Sequence, residues 1–96
     1  MTGTSRRFSA ASEVHARKFH DELVVLNLRT GEYFSLDAFA TQIWERLVAG
    51  DDLEQIVLEL APNYAVEASE LQRDVERFAD ELVRSGLVHL RPETER

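Results

Sequence analysis

The sequence predicts a small α+β domain in which a three-stranded antiparallel sheet is followed by three helices. Three observations predict it. Up to Leu36 the apolar residues fall in short runs rich in β-branched side chains and broken by a glycine-containing turn. From Asp37 onward they recur at helical spacing between caps and stops. The third observation is size: 96 residues, 44% of them hydrophobic, suit one domain with one modest core.

Residues 1–12, MTGTSRRFSAAS, are small and polar without a sustained period, and are expected to form a mobile arm ahead of a domain spanning residues 13–90. Val14 to Phe19 reads as a first strand, and His20-Asp21-Glu22 as a turn. The run Leu23-Val24-Val25-Leu26-Asn27-Leu28 suits a second strand buried on much of both faces. Arg29-Thr30-Gly31 closes a hairpin, with Gly31 able to take the positive φ such a loop requires. On the return strand, Glu32 to Leu36, alternation sends Phe34 and Leu36 to one face and Tyr33 and Ser35 to the other.

Asp37 is placed to cap the first helix, whose apolar stripe is Ala40, Ile43, Trp44, Leu47 and Val48, with Gly50 ending it. Asp51 or Asp52, with Glu54 or Gln55 three residues on, fits a capping box for the second helix. That helix buries Leu53, Ile56, Val57 and Leu60, and Pro62 stops it. The longest helix runs from about Glu67 to Ser85 with Leu71, Val75, Phe78 and Leu82 on one stripe, and Gly86 terminates it. Leu87 to Leu90 is a short extended segment, and residues 91–96 form a tail.

Composition removes several function classes. The absence of cysteine excludes disulfides, thiolate metal sites and a cysteine nucleophile. The longest apolar runs are too short for a membrane span or a signal peptide, so a cytoplasmic protein is expected. His15, His20 and His89 lie far apart without ligand spacing, so no metal and no cofactor is expected. No nucleophile elbow, phosphate-binding glycine loop or persuasive Ser, His and Asp order is present, and no catalytic residue is assigned.

Charge separates the remaining classes. Residues 1–50 carry six acids and six bases, whereas residues 51–96 carry twelve acids and five bases, so the whole net charge of −7 sits in the helical half. The second and third helices with the strands suggest a winged helix, whose usual work is binding DNA. The would-be recognition helix, however, carries Glu67, Glu70, Asp74, Glu76, Asp80 and Glu81 against Arg73, Arg77 and Arg84. A surface of that sign opposes phosphate binding, and no nucleic acid is expected as a partner. The strand Glu32–Leu36 leads directly into a helix and so sits at a sheet edge, where unpaired backbone groups can accept an extended peptide. The long helix would wall the groove, apolar at its base and acidic at a rim of Glu67, Glu70, Asp74 and Glu81. Leu71 and Phe78 then serve both core and groove, Val75 and Leu82 read as core, and Tyr33 is an outward anchor for a partner. The same open edge would also allow a homodimer.

The stretch Val25-Leu26-Asn27-Leu28-Arg29-Thr30-Gly31-Glu32-Tyr33-Phe34-Ser35-Leu36-Asp37, then Ala40-Thr41-Gln42-Ile43-Trp44, resembles the PqqD-like family, the precursor-peptide recognition elements of ribosomally made, modified peptides. So does Asp74-Val75-Glu76-Arg77-Phe78 with Leu82 and Ser85-Gly86-Leu87-Val88. The resemblance covers about residues 14 to 90; Asp37 stands where the family often has Asn, and both residues cap helices. It implies a winged-helix-like fold without catalysis, in which the leader segment of a precursor peptide adds as an antiparallel strand beside the third strand and against the third helix. Carried over, Tyr33, Phe34 and Ser35 line the strand side and Leu71, Asp74, Val75 and Phe78 the helix side. Standing without a fused enzyme, the chain is similar to two subtypes, the leader-binding protein of lasso-peptide pathways and the chaperone of pyrroloquinoline quinone synthesis. The Tyr-Phe-Ser-Leu-Asp strand and the Trp of Ala-Thr-Gln-Ile-Trp favour the lasso subtype, with a leader peptidase as partner and a macrocyclase downstream.

Overall fold

The computed structural model describes residues 6–91. Strands β2 (Val14–Phe19), β3 (Glu22–Asn27) and β4 (Tyr33–Leu36) form one antiparallel sheet in that order, which leaves β4 at an edge. Helices α1 (Ala38–Val48), α2 (Leu53–Leu60) and α3 (Ala68–Arg84) follow. A single 3-10 turn at Pro62–Tyr64 lies between α2 and α3. The predicted fold class holds, with one addition described below.

Alternation decides what the sheet buries. Leu23, Val25 and Leu36 face the helices and are buried, and Phe34 packs against the same core. The opposite face is open: Leu26 pairs with Tyr33 and His15 across it, and Tyr33 is 69% exposed. The run from Leu23 to Leu28 is therefore buried on one face, not on both: Val24 and Leu26 are half-buried and Leu28 is exposed. Among the described residues no further layer covers that side, so β-branched content marked the strand but not its second face.

The helical stripes land as their spacing requires. Ile43, Trp44 and Leu47 of α1 meet Leu53, Ile56, Val57 and Leu60 of α2 and Leu71, Val75, Ala79 and Leu82 of α3 in one core. The Asp37 carboxylate accepts a hydrogen bond from the Ala40 amide at 2.9 Å and caps α1. Thr41, buried on that first turn, donates from Oγ1 to the Leu36 carbonyl at 3.2 Å, which fixes the start of α1 to the end of β4.

The N-terminal segment departs from expectation. Residues Phe8–Ala10 form β1, which pairs antiparallel with β5 (Val88–Leu90) in a second, two-stranded sheet, and the Phe8 side chain is 5% exposed in the core. The expected mobile arm is thus docked from Arg6 onward. A three-residue strand shows no readable alternation, and its partner lies at the far end of the chain, so no local signal marks it. The docking also replaces the expected capping box. The Asp52 carboxylate does not cap its own helix; it accepts from the Arg6 amide at 3.0 Å, while the Leu53 amide donates to the Arg6 carbonyl at 2.9 Å. The Arg6 guanidinium donates to Glu76 on α3 at 2.8 Å and holds that carboxyl below the usual glutamate range, with a second donor in Gln72 at 3.2 Å. Arg91, assigned to the tail, bonds back to this segment, its amide donating to the Arg7 carbonyl at 2.8 Å and its Nε to the Ser9 hydroxyl of β1 at 2.7 Å. The remaining residues of the expected arm and tail, 1–5 and 92–96, lie outside the described residues.

Candidate functional site

The free edge of β4 is defined by its hydrogen-bond phase. The Asn27 amide donates to the Glu32 carbonyl at 2.8 Å, and the register continues through Val25 opposite Phe34 and Leu23 opposite Leu36. In an antiparallel ladder alternate pairs exchange both backbone bonds. Phe34 and Leu36 therefore spend their backbone groups on β3, whereas the N–H and C=O groups of Tyr33 and Ser35 point out from the edge. An arriving strand would bond to these two residues. Its side chains opposite Phe34 and Leu36 would turn inward and those opposite Tyr33 and Ser35 outward.

Inward of this edge lies a cleft of about 710 Å³ between β4 and the C-terminal half of α3. Phe34, Leu36, Ala40, Phe78 and Leu82 supply its apolar surface. Glu32, Asp37 and Glu81 lie along it against the single base Arg84. Phe78, half-buried, belongs to both core and cleft. The walls run in opposite senses. Glu32, at the hairpin end of β4, and Ser85, at the C-terminal end of α3, both line the main cleft; beyond the end of β4, a smaller pocket of about 280 Å³ is lined by Phe39, Tyr64, Val66, Leu71, Glu70 and Asp74. The Phe39 and Tyr64 rings pack edge to face there at 4.4 Å between centroids.

The residues singled out from sequence divide among these places. Phe34, Ser35 and Phe78 line the main cleft, and Leu71 and Asp74 line the smaller pocket one to two helical turns away. Val75 has no exposed surface; it is core beneath the cleft and has nothing to offer a ligand directly. Tyr33 projects from the face opposite α3, so it flanks an added strand without lining the cleft. The rim acids Glu70, Asp74 and Glu81 stand where the helical stripe put them, whereas Glu67, at the N-cap of α3, lines neither cavity. Sequence reasoning missed Glu32, Leu36, Asp37, Ala40, Arg84 and Ser85 in the main cleft and Phe39, Tyr64 and Val66 in the smaller pocket, and Leu82, read as core alone, is both buried and a lining residue. For Ser85 a signal existed, since it continues the Phe78 and Leu82 stripe by one more turn.

Among the described residues, no group of three or more His, Asp or Glu side chains is placed to hold a metal ion. Also among them, no helix is long and apolar enough to cross a membrane.

Comparison with known proteins agrees with this fold. The structure of TbiB1 in complex with the TbiA(beta) leader peptide is similar at 33% sequence identity and a TM-score of 0.79, covering 84% of this chain and 94% of that one. The structure of a lasso peptide synthetase B1 complexed with the leader peptide is similar at 26% identity and a TM-score of 0.80, covering 86% of this chain and 98% of that one. No curated protein matches the sequence. The family model for coenzyme PQQ synthesis protein D matches residues 22–88, from the first residue of β3 to the first of β5, and so takes in both walls of the cleft. By that match the chain belongs to the PqqD family.

Proposed function

We propose that this protein binds the leader segment of a ribosomally made precursor peptide by strand addition to β4, in the cleft against α3, and presents it to separate modifying enzymes. One observation carries the reading: the edge strand whose backbone groups at Tyr33 and Ser35 are free is also the wall of an apolar-floored cleft. Backbone pairing supplies affinity, and the cleft selects the alternate side chains that enter it. Phe34, Ser35 and Phe78 meet the peptide in the main cleft, Leu71 and Asp74 meet it at the smaller pocket, and Tyr33 pairs beside its outward side chains. The acids along both cavities favour a peptide with basic residues flanking its apolar ones. The likeness to two leader-peptide complexes, one of them of a lasso peptide synthetase B1, supports a lasso-type pathway, in which the partners are a leader peptidase and, downstream, a macrocyclase. The domain performs no chemistry itself in this reading, needs no cofactor and works in the cytoplasm.

The test is a titration of isotope-labelled protein with synthetic leader peptides, beginning with the TbiA(beta) leader and the leaders of short precursor reading frames encoded beside this gene. The expected result is micromolar or tighter binding, with amide shifts concentrated at Tyr33–Leu36 and along α3 from Glu70 to Ser85. Binding that shifts only the β1–β5 sheet, or refusal of every leader, would overturn the proposal. So would a stable dimer through β4 that peptide cannot displace.

A further inference from the structure

We propose that Asn27 is a positioning residue for the cleft: it sets the separation of β4 and α3 at the hairpin end, and peptide affinity depends on it without contact. The inference deepens the peptide reading above and rests on it. Asn27 is 2% exposed on the core face of β3, in line with Leu23 and Val25. Its Oδ1 accepts from the Arg29 amide at 2.9 Å and the Thr30 amide at 3.3 Å, which shapes the hairpin turn. Its backbone completes the same turn, donating to the Glu32 carbonyl and accepting from the Gly31 amide, each at 2.8 Å. Its Nδ2 crosses to the other wall and donates to the carbonyl of Ser85, the last capping residue of α3, at 3.0 Å. Glu32 on one wall and Ser85, beside Arg84, on the other both line the cleft. One buried amide thus holds both rims.

The chemistry explains why the residue is an asparagine. A carboxamide carries an acceptor and a donor on separate atoms of one short fork, so it can serve the turn and the helix end at once; ionised aspartate lacks the donor and leucine lacks both. Gly86 leaves the space the amide needs, because a Cβ built there would lie 3.2 Å from Nδ2. No charged group lies within hydrogen-bond reach of this side chain among the described residues, so its partners are backbone alone.

Two variants separate positioning from simple stability. Asn27→Asp keeps the acceptor for the turn and sets an anion against the Ser85 carbonyl. Asn27→Leu keeps the branched shape and adds no charge, and remains informative where the aspartate variant fails to fold. Ile56→Val, in the core on α2, is a destabilised control remote from the cleft. Each is titrated with a leader that binds the wild type, and hydrogen exchange is followed in parallel. We expect the Asn27 variants to bind about tenfold more weakly, while Ile56→Val binds as the wild type does. Exchange should quicken at residues 29–32 and 85–87 and stay unchanged across β2 and the first half of β3. Folded Asn27 variants with affinity within twofold of wild type overturn the inference, as does an equal loss in Ile56→Val. Should the wild type bind no leader, the peptide reading fails; exchange that quickens at only one rim independently refutes the coupling of the two walls.

Discussion

Ser35→Pro tests strand addition through the backbone alone. The Ser35 amide faces the open edge, since Phe34 and Leu36 hold the paired positions against β3. Proline there removes no ladder bond from the free protein, and edge strands are where proline is tolerated. The preceding residue, Phe34, is already extended, the conformation a following proline demands. The fold should therefore lose about 1 kcal/mol or less. The complex suffers more. The edge keeps the Tyr33 donor but loses that of Ser35, and the peptide carbonyl that would have met it is left facing a ring. One lost bond together with one carbonyl desolvated without a partner costs about 2 kcal/mol, or roughly thirtyfold in Kd. Fluorescence polarisation with a labelled leader measures the loss, and thermal unfolding with circular dichroism shows that the variant is folded. Ser35→Ala, which keeps the amide, should bind within about twofold of wild type, because the hydroxyl makes no hydrogen bond among the described residues. A folded Ser35→Pro that binds as well as wild type would refute pairing at this edge; an equal loss in Ser35→Ala would move the effect from backbone to side chain.

Other substitutions give graded outcomes. Tyr33→Ala should leave the melting temperature nearly unchanged, because the ring is 69% exposed, and should weaken leader binding a few-fold through the lost cross-strand pair, by about 0.2–1 kcal/mol. Asp74→Ala should lower affinity chiefly at low salt, read as a shallower dependence of Kd on ionic strength. Phe8→Ala should cost about 3–4 kcal/mol in urea unfolding, because its ring is core and not arm. Glu76→Gln tests the Arg6 clip through pH. The Glu76 carboxyl is held below its usual value by the Arg6 guanidinium, so its stabilisation is fully present above the unfolded value near 4.5 and fades as pH falls through the lower folded one. Wild type should therefore exceed Glu76→Gln in stability at pH 6, by no more than about 1 kcal/mol given that the pair is a third exposed, and the difference should vanish toward pH 3.

Much of the candidate site was legible because local pattern and chain order both pointed to it. A hairpin whose second strand runs straight into the Asp37 cap has no sequence-adjacent partner on its far side, which made β4 the expected edge, and β1 and β5 pair with each other instead of with it. The heptad-like recurrence of Leu71, Val75, Phe78 and Leu82 fixed one apolar stripe on α3. What periodicity cannot resolve is depth within a stripe. Val75 and Phe78 share the stripe, yet the first is wholly buried and the second opens into the cleft, because the tilt of the helix over the sheet decides which edge of the stripe clears its neighbours. β1 was illegible for a different reason: pairing of Phe8 with Leu90 is contact between opposite ends of the chain, and nothing near Phe8 encodes it.

Asn27 falls between these cases. Leu23, Val25 and Asn27 occupy alternate positions of one strand, so the alternation that assigns the first two to the core assigns the asparagine there as well. A carboxamide on a core face is a conflict at the level of sequence, since burying it without partners costs about 1–3 kcal/mol. Such a residue must find both a donor and an acceptor nearby. The hairpin turn two and three residues on supplies the amides, but the carbonyl at Ser85 comes from the end of a helix 58 residues away. The sequence therefore announces that Asn27 is tied to something, and half of the tie is local. The other half exists only once α3 has been laid across the sheet, which is the same packing step that forms the cleft. A residue whose hydrogen bonds are completed by the assembly of a site is a natural sensor of that site's width.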